Sequence, residues 1–383
     1  MKADRQGEFA AYPKRDLTFS RGFLATLWDT EGNEYIDCGA SFGVGNLGLC
    51  NPAIVEAIQA QARELIHVGG TFGSTAKQAF LGKLLSVAPQ NLTRAFLSNS
   101  GTEAVEAAIK FARASTGRTK IVAAMRGFHG RTMGSLSATW KKEFRDGFEP
   151  LVPGFEHVPF NDPDALTAAV DRDTAAVLLE AVQGEGGVHV ATPEYLPVAR
   201  EVCDREGALL IVDEVQTGMG RTGRLFAVER WGVEPDMITL AKSLAGGVPI
   251  GATLTTTAVE SKFAGSHNST FGGNALACAA GVAAIDYTMK EKLWERAEAL
   301  GTRAVERLRG IDAPAVREVR GLGLMIGIEL REKATPYLMD LAAKGVLAIG
   351  AGTNVLRLLP PLVIPEEQWD YALDALGGVL RGG

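Results

Sequence analysis

From Arg94 onward the chain alternates short apolar runs with amphipathic stretches of helical period, and this pattern narrows the possible folds more than any other feature. The runs RAFLS, KIVAAM, AAVLLE, ALLIVDE, DMITLA and GATLTT are rich in aliphatic and β-branched residues and too short for buried helices. Between them, TEAVEAAIKFARAS and PEYLPVAREVCDRE place apolar residues on one face and charges on the other. Strands alternating with helices predict an α/β domain on a mostly parallel sheet, because parallel neighbours need crossover connections.

After Asn274 the pattern changes. Two long helical stretches (NALACAAGVAAIDYTMK and KEKLWERAEALGTRAVERL) precede the strand-like REVRGLGLMIGIEL, GVLAIG and VLRLLPP and a last helix. This reads as a second, smaller α+β domain. Near the N-terminus, WDTEGNEYIDC reads as a hairpin with a D-x-x-G-N turn that joins the second domain. The expected division is residues 46–273 for the large domain, and 1–45 with 274–383 for the small one.

Composition excludes several functions. With 46% hydrophobic and 22% charged residues over 383 positions, the chain is globular in type, and its formal charge of -6 argues against nucleic-acid binding. MKADRQGEFAAY has no apolar run, and no stretch reaches membrane-spanning length, so a cytoplasmic protein without membrane contact is expected. Cys38, Cys50, Cys203 and Cys278 lack metal or redox spacing and read as free, mostly buried thiols; the five histidines form no ligand pair, so no metal is expected.

Three places carry candidate chemistry. In AFLSNSGTEAVEAAIKFAR a strand ends at Ser98 and a helix starts after the turn Asn99-Ser100-Gly101-Thr102. Its first amides can hold a phosphate, or the turn is a plain N-cap. In ALLIVDEVQTG, Asp213 stands at the carboxyl end of an apolar strand, where open α/β sheets keep their ligands. It can pair with a protonated ring nitrogen; alternatively Asp213 and Glu214 form a solvated turn or hold Mg²⁺. In DMITLAKSLAGGVPIGATL, Lys242 directly follows an apolar strand. An amine in such a place loses basicity and can attack a carbonyl, although a strand-end lysine has other uses.

Three motifs mislead. Gly218 to Gly223 spells G-x-G-x-x-G, but the charged DEVQT separates it from its strand. Gly39-Ala40-Ser41-Phe42-Gly43 spells a hydrolase elbow, yet too little chain precedes it for the required sheet. WKKEFR is a basic cluster whose plain reading is a solvated face.

Taken together, SNSGTEAVEAAIK, GFHGRT, VQGEGG, VDEVQTGMGRTG, LAKSLAGGVPIGA, STFGGNALACAAG and RLLPPL resemble the class III, or omega, aminotransferases of the fold-type I pyridoxal-phosphate superfamily, over nearly the whole chain. Within that class the chain is similar to the acetylornithine aminotransferase group, and MRGFHGRTMGSLSATW to the branch acting on carrier-protein-linked lysine or ornithine. The resemblance implies a seven-stranded large-domain sheet, pyridoxal 5'-phosphate as cofactor, and a homodimer with a shared active site. It implies amino transfer between an N-blocked ornithine or lysine and 2-oxoglutarate, in lysine or arginine biosynthesis. Another class III reaction, such as succinyl-diaminopimelate transamination or a semialdehyde aminomutase, is the alternative.

By the same resemblance, Lys242 is the Schiff-base lysine, Asp213 partners the pyridine nitrogen, and Gln216 lies near the phenolic oxygen. Phe128 and Val215 flank the ring, a role compatible with their being core residues. Ser100, Gly101 and Thr102 bind the phosphate, and Thr270 reaches the phosphate of the neighbouring subunit. Arg357 suits the α-carboxylate of glutamate, Glu185 covers it when the long amine is bound, and Arg131 takes the distal carboxylate. Lys141, Lys142 and Arg145 are expected to help dock an acidic amino-group carrier protein. The chain departs from the family in Ala181, where E-P-x-Q-G-E has proline, and in Ala275, where STFGGNP has proline.

Overall fold

The computed structural model describes residues 7, 9, 11, 15–263 and 267–382. Most of MKADRQGEFAAY, the segment in which no leader was expected, lies outside them. The six apolar runs form strands Arg94–Ser98, Lys120–Ala124, Thr174–Leu179, Leu209–Asp213, Met237–Leu240 and Gly251–Thr255. With Phe155–Val158 they make one seven-stranded sheet, the α/β, fold-type I architecture. Phe155–Val158 was absent from the apolar runs because this edge strand, FEHV, buries only Val158 fully. Across the sheet the order is 94–98, 251–255, 237–240, 209–213, 174–179, 120–124, 155–158. Only Gly251–Thr255 runs antiparallel to its neighbours.

The central strands read as unbroken apolar runs because helices cover both faces. Successive side chains point to opposite sides. Ala176, Leu178, Ile211 and Met237 join one core with Val105, Ala108, Ile109 and Ala112 of helix Gly101–Thr116. Val177, Leu179, Leu210, Val212, Ile238 and Leu240 join the other, with Leu196, Ala199 and Cys203 of helix Tyr195–Glu206.

Parallel pairing brings strand ends to one edge. Asp213 is in register with Thr239, and Ser98 with Gly251, so the residues following Ser98, Ala124, Leu179, Asp213 and Leu240 all emerge along that edge. There the crevice opens, as in other open α/β sheets.

A second, fully antiparallel sheet has the order Val316–Leu322, Met325–Leu330, Val355–Leu358, Ile349–Ala351. The N-terminal hairpin Thr26–Asp29/Glu34–Asp37 pairs through Glu34–Asp37 with Val346–Leu347. Asp29 accepts the N–H groups of Glu31 and Asn33 and so fixes the hairpin turn. Helix Ala275–Lys290 packs on helices Pro52–Glu64 and Thr75–Val87.

Gly218 to Gly223 is a buried loop rather than a nucleotide cradle. Its Arg221 is fully buried and ties three distant segments, donating to Leu324 O at 2.8 Å, Pro360 O at 2.6 Å and Asn46 Oδ1 at 2.6 Å. Ala40, Ser41 and Phe42 all have positive φ, a left-handed run unlike a strand-to-helix elbow. Cys38, Cys203 and Cys278 are buried and Cys50 is exposed; all four are free. Among the described residues no helix is long and apolar enough to cross a membrane.

Candidate active site

A cavity of about 430 Å³ lies at the carboxyl edge of the large sheet, with Phe128, Arg131, Glu185, Asp213, Val215 and Lys242 in its wall. Ser100, Gly101, Thr102 and Gln216 also line it. The sheet topology thus gathers residues from five separate segments.

Asp213 is buried and held from two sides. Its Oδ1 accepts the Val215 N–H at 3.0 Å and the Thr239 hydroxyl at 2.9 Å, and its Oδ2 lies 2.7 Å from His129 Nδ1, where the ring N–H donates. Burial pulls the His129 pKa down, but the hydrogen bond and charge of Asp213, helped by Glu180, outweigh it and leave the pKa raised. Glu180, just past the end of its strand, accepts Phe128 N–H at 3.0 Å and Gly184 N–H at 3.2 Å. Burial pushes its carboxyl up to about 7, with the Asp213 charge acting in the same direction.

Lys242 opens a short 3₁₀ turn, Lys242–Ala245, with φ +42°. A β-carbon in this left-handed region is strained by about 1–2 kcal/mol, strain of a kind that concentrates at functional sites. Burial, and then the charge of Arg357, lower the pKa of the amine against the opposing pull of Glu185, Asp213 and Glu180. More of the amine is therefore neutral than in an ordinary lysine.

At the start of helix Gly101–Thr116 the N-cap reading is observed, and it leaves room for the phosphate reading. Ser100 is the N-cap, its hydroxyl accepting Glu103 N–H, while Glu103 reaches back to Asn99 N–H. This capping box uses the amides of Asn99 and Glu103 and leaves those of Gly101 and Thr102 for an anion. Gly101 must be glycine, since a Cβ there would meet Val215 Cγ1 at 2.7 Å.

Arg357 comes from the second sheet. Fully buried, it donates to Glu185 Oε1 at 2.6 Å and to Gln216 Oε1 at 3.2 Å. Gln216 in turn donates to Phe42 O at 2.9 Å, so the left-handed N-terminal run helps hold this residue of the cavity wall. Gly184 is equally constrained: a Cβ would stand 1.8 Å from Gln216 Oε1.

At the mouth, exposed Arg131 stacks over the Phe144 ring at 3.9 Å and lies 5.6 Å from that of Phe128. The basic cluster beyond it is less open than its sequence suggests. Lys141 and Arg145 are half-buried, Lys141 pairs with Glu143 at 3.9 Å, and Lys142 alone of the three is exposed. Thr270 lies outside this cavity; it is exposed and lines a second one together with Asn99, Glu103 and Phe271.

His129, Thr239, Phe42 and Phe144 were missed. The role of Glu180 had stayed open, although it is a carboxylate at the end of an apolar strand like Asp213. His129 sits within GFHGRT, but a lone histidine carries no local signal, and the role of Phe42 is a backbone carbonyl.

Comparison with known proteins agrees with this geometry. The Aminotransferase class-III family model matches residues 11–380. The acetylornithine aminotransferase of Methanopyrus kandleri is 49% identical over 97% of this chain and 96% of its own length. The [LysW]-aminoadipate semialdehyde transaminase of Deinococcus radiodurans is 46% identical over 100% of this chain and 90% of its own. The solved ornithine aminotransferase of Toxoplasma gondii superposes with a TM-score of 0.95 at 35% identity, covering 99% of this chain and 92% of that one. The chain belongs to the class III aminotransferases, transaminases that depend on pyridoxal 5'-phosphate.

The residues present fit that cofactor. Two uncommitted helix-start amides suit a phosphate, Asp213 suits a pyridinium nitrogen, Val215 and Phe128 offer apolar flanks, and the Lys242 amine suits an aldehyde.

Proposed function

We propose that the chain moves the terminal amino group of an N-blocked ornithine or lysine, acetylated or tethered to an acidic carrier protein, to 2-oxoglutarate in arginine or lysine biosynthesis. The names of its relatives support the substrate class. The observation that carries the reading is that Glu185, in the wall of the cavity with Lys242 and Asp213, covers the buried guanidinium of Arg357 standing behind it. A transaminase using glutamate and a long amine needs a cation for the α-carboxylate of the first and a cover for that cation with the second.

Lys242 Nζ would hold the cofactor covalently, Asp213 would face its ring nitrogen, and Gln216 would lie near its phenolic oxygen. Phe128 and Val215 would flank the ring. Ser100, Gly101 and Thr102 would hold the phosphate, joined in a homodimer by the partner subunit's Thr270. Bound there, the cofactor supplies an aldehyde that exchanges amines and a pyridinium ring that draws electrons from the adjoining carbon. As a free amine, Lys242 Nζ would accept the proton of the reacting carbon and give it back as general base and then acid; its lowered pKa favours the neutral amine this needs. Arg357 orients glutamate bidentately while Glu185 turns aside, and Arg131 at the mouth meets the carboxylate distal to the reacting amine. Residues 46–273 form the cofactor domain in this reading, both chain ends form the smaller one, and the enzyme works in the cytoplasm.

The test is spectroscopic. Purified protein given pyridoxal phosphate should absorb in the visible and bleach on adding glutamate, and Lys242→Ala should do neither. Protein that stays colourless overturns the reading.

A further inference from the structure

Glu185 sits on a four-residue turn, Gly184-Glu185-Gly186-Gly187, whose composition alone describes a flexible segment. The structure pins it at both ends. Gly184 donates its N–H to Glu180 Oε1 at 3.2 Å. Gly187 O accepts two hydrogen bonds from Arg320, from Nε at 3.0 Å and Nη2 at 2.7 Å. Arg320 is itself fixed, its Nη1 lying 2.6 Å from Glu318 and 2.7 Å from Glu329. Gly187 N–H closes the turn on Gly184 O at 3.3 Å. The other oxygen of Glu180 accepts Phe128 N–H at 3.0 Å, so one buried carboxylate joins the turn of Glu185 to the loop of Phe128 and Arg131.

Local crowding leaves the backbone little room. A Cβ at Gly186 would stand 2.5 Å from Arg126 O. The Glu185 side chain is the freer part: it is 24% exposed and is held through Oε1 by Arg357.

We propose that Glu180 and Arg320 are positioning residues that clamp the turn Gly184–Gly187 from opposite sides, so that Glu185 uncovers and covers Arg357 by side-chain rotation on a fixed backbone. The inference rests on the dual-substrate reading above. A fixed turn matters because a bidentate carboxylate site tolerates little displacement, and Glu185 must return to the same place each cycle. Glu180 holds the ring-flanking loop and the cover in one geometry, while Arg320 anchors the cover to the sheet that carries Arg357.

Two variants test this, Glu180→Gln and Arg320→Lys. In the first, an amide nitrogen replaces one accepting oxygen and faces a backbone N–H; in the second, one ammonium must replace a guanidinium that serves a carbonyl and two carboxylates at once. Hydrogen exchange of the holoenzyme, resolved to segments 126–130 and 182–188, is read alongside kcat/KM for glutamate and for the long amine. Exchange in 182–188 should rise about tenfold or more in both variants, the scale of one lost charge-assisted hydrogen bond, with core strands unchanged. Segment 126–130 should follow only in Glu180→Gln. The ratio of long-amine to glutamate kcat/KM should fall, because an imprecise cover leaves Arg357 unpaired only with the long amine. Wild-type exchange in 182–188, or an equal fall with both substrates, overturns the clamp. If Glu180→Gln does not fold, Arg320→Lys decides alone. Wild-type protein that fails the spectroscopic test rejects the functional reading instead, and exchange then judges the clamp by itself.

Discussion

The guanidinium of Arg357, from the small antiparallel sheet, meets at 2.6 Å the carboxylate of Glu185, from a turn beyond the large sheet, and Glu185 is the partner that lines the Lys242 cavity. Arg357 is fully enclosed and Glu185 only partly, so one partner is fixed and the other can leave.

Glu185→Gln keeps the size of the cover and removes its charge. The long amine then reacts beside an uncompensated buried cation, and its kcat/KM should fall about tenfold relative to that of glutamate. Steady-state kinetics of the two half-reactions measure this. An unchanged ratio would mean that Glu185 is not the cover.

His129→Asn removes the ring contact to Asp213 Oδ2 and leaves the two bonds to Oδ1 in place. Pyridoxal phosphate should bind about tenfold more weakly, the usual scale for losing a hydrogen bond to a charged group. Titration of apoprotein by fluorescence gives the Kd. Equal affinity would show that His129 does not orient Asp213.

Glu214 offers a pH test on a buried carboxyl that does not itself line the cavity. Its carboxylate accepts the Thr217 hydroxyl and Val228 N–H, and burial raises its pKa to about 7 from 4.5. Between those values the folded protein keeps a proton that the unfolded chain releases, so stability falls as pH rises through the window and does not recover above it. Glu214→Gln lacks this penalty. Its stability advantage over wild type should grow between pH 4.5 and pH 8 by at most about 3 kcal/mol. A pH-independent difference in denaturant midpoints would contradict the shift.

Arg221→Met strips three acceptors, Leu324 O, Pro360 O and Asn46 Oδ1, of their buried donor. Destabilisation of about 3–5 kcal/mol is expected. Chemical unfolding measures it, and a loss below about 1 kcal/mol would show that the tie is dispensable.

For the carrier-linked substrate, Lys142→Glu reverses the charge of the one exposed basic residue of the cluster. kcat/KM should drop several-fold at low salt for a carrier-linked substrate and stay level for free N-acetylornithine. An equal drop for both would remove the docking role.

Strands were legible wherever both faces are buried, because burial there demands unbroken apolar runs; Phe155–Val158, at the edge, is under no such demand. Asp213 and Lys242 were legible for a related reason, since a charge directly after an apolar strand has a short list of explanations. Arg357 and Glu185 each showed locally, but their meeting depends on how the two sheets pack, which no single segment encodes. Thr239 was invisible because its bond to Asp213 depends on the register of neighbouring strands, and the Phe42 carbonyl because a backbone group leaves no mark in the side-chain sequence. How far each side chain of the basic run is exposed was not legible, because the letters do not say that Lys141 will lie over the Phe144 ring.

The order of Glu185 and Arg357 along the chain bears on how the protein is made. Synthesis runs from the N-terminus, so the acid emerges long before the strand Val355–Leu358 that carries the base. A solvated carboxylate awaiting its partner does little harm, whereas a guanidinium enclosed ahead of its anion would oppose closure of the sheet. In a growing chain the anion that will neutralise the buried cation has therefore already been synthesised when that cation emerges.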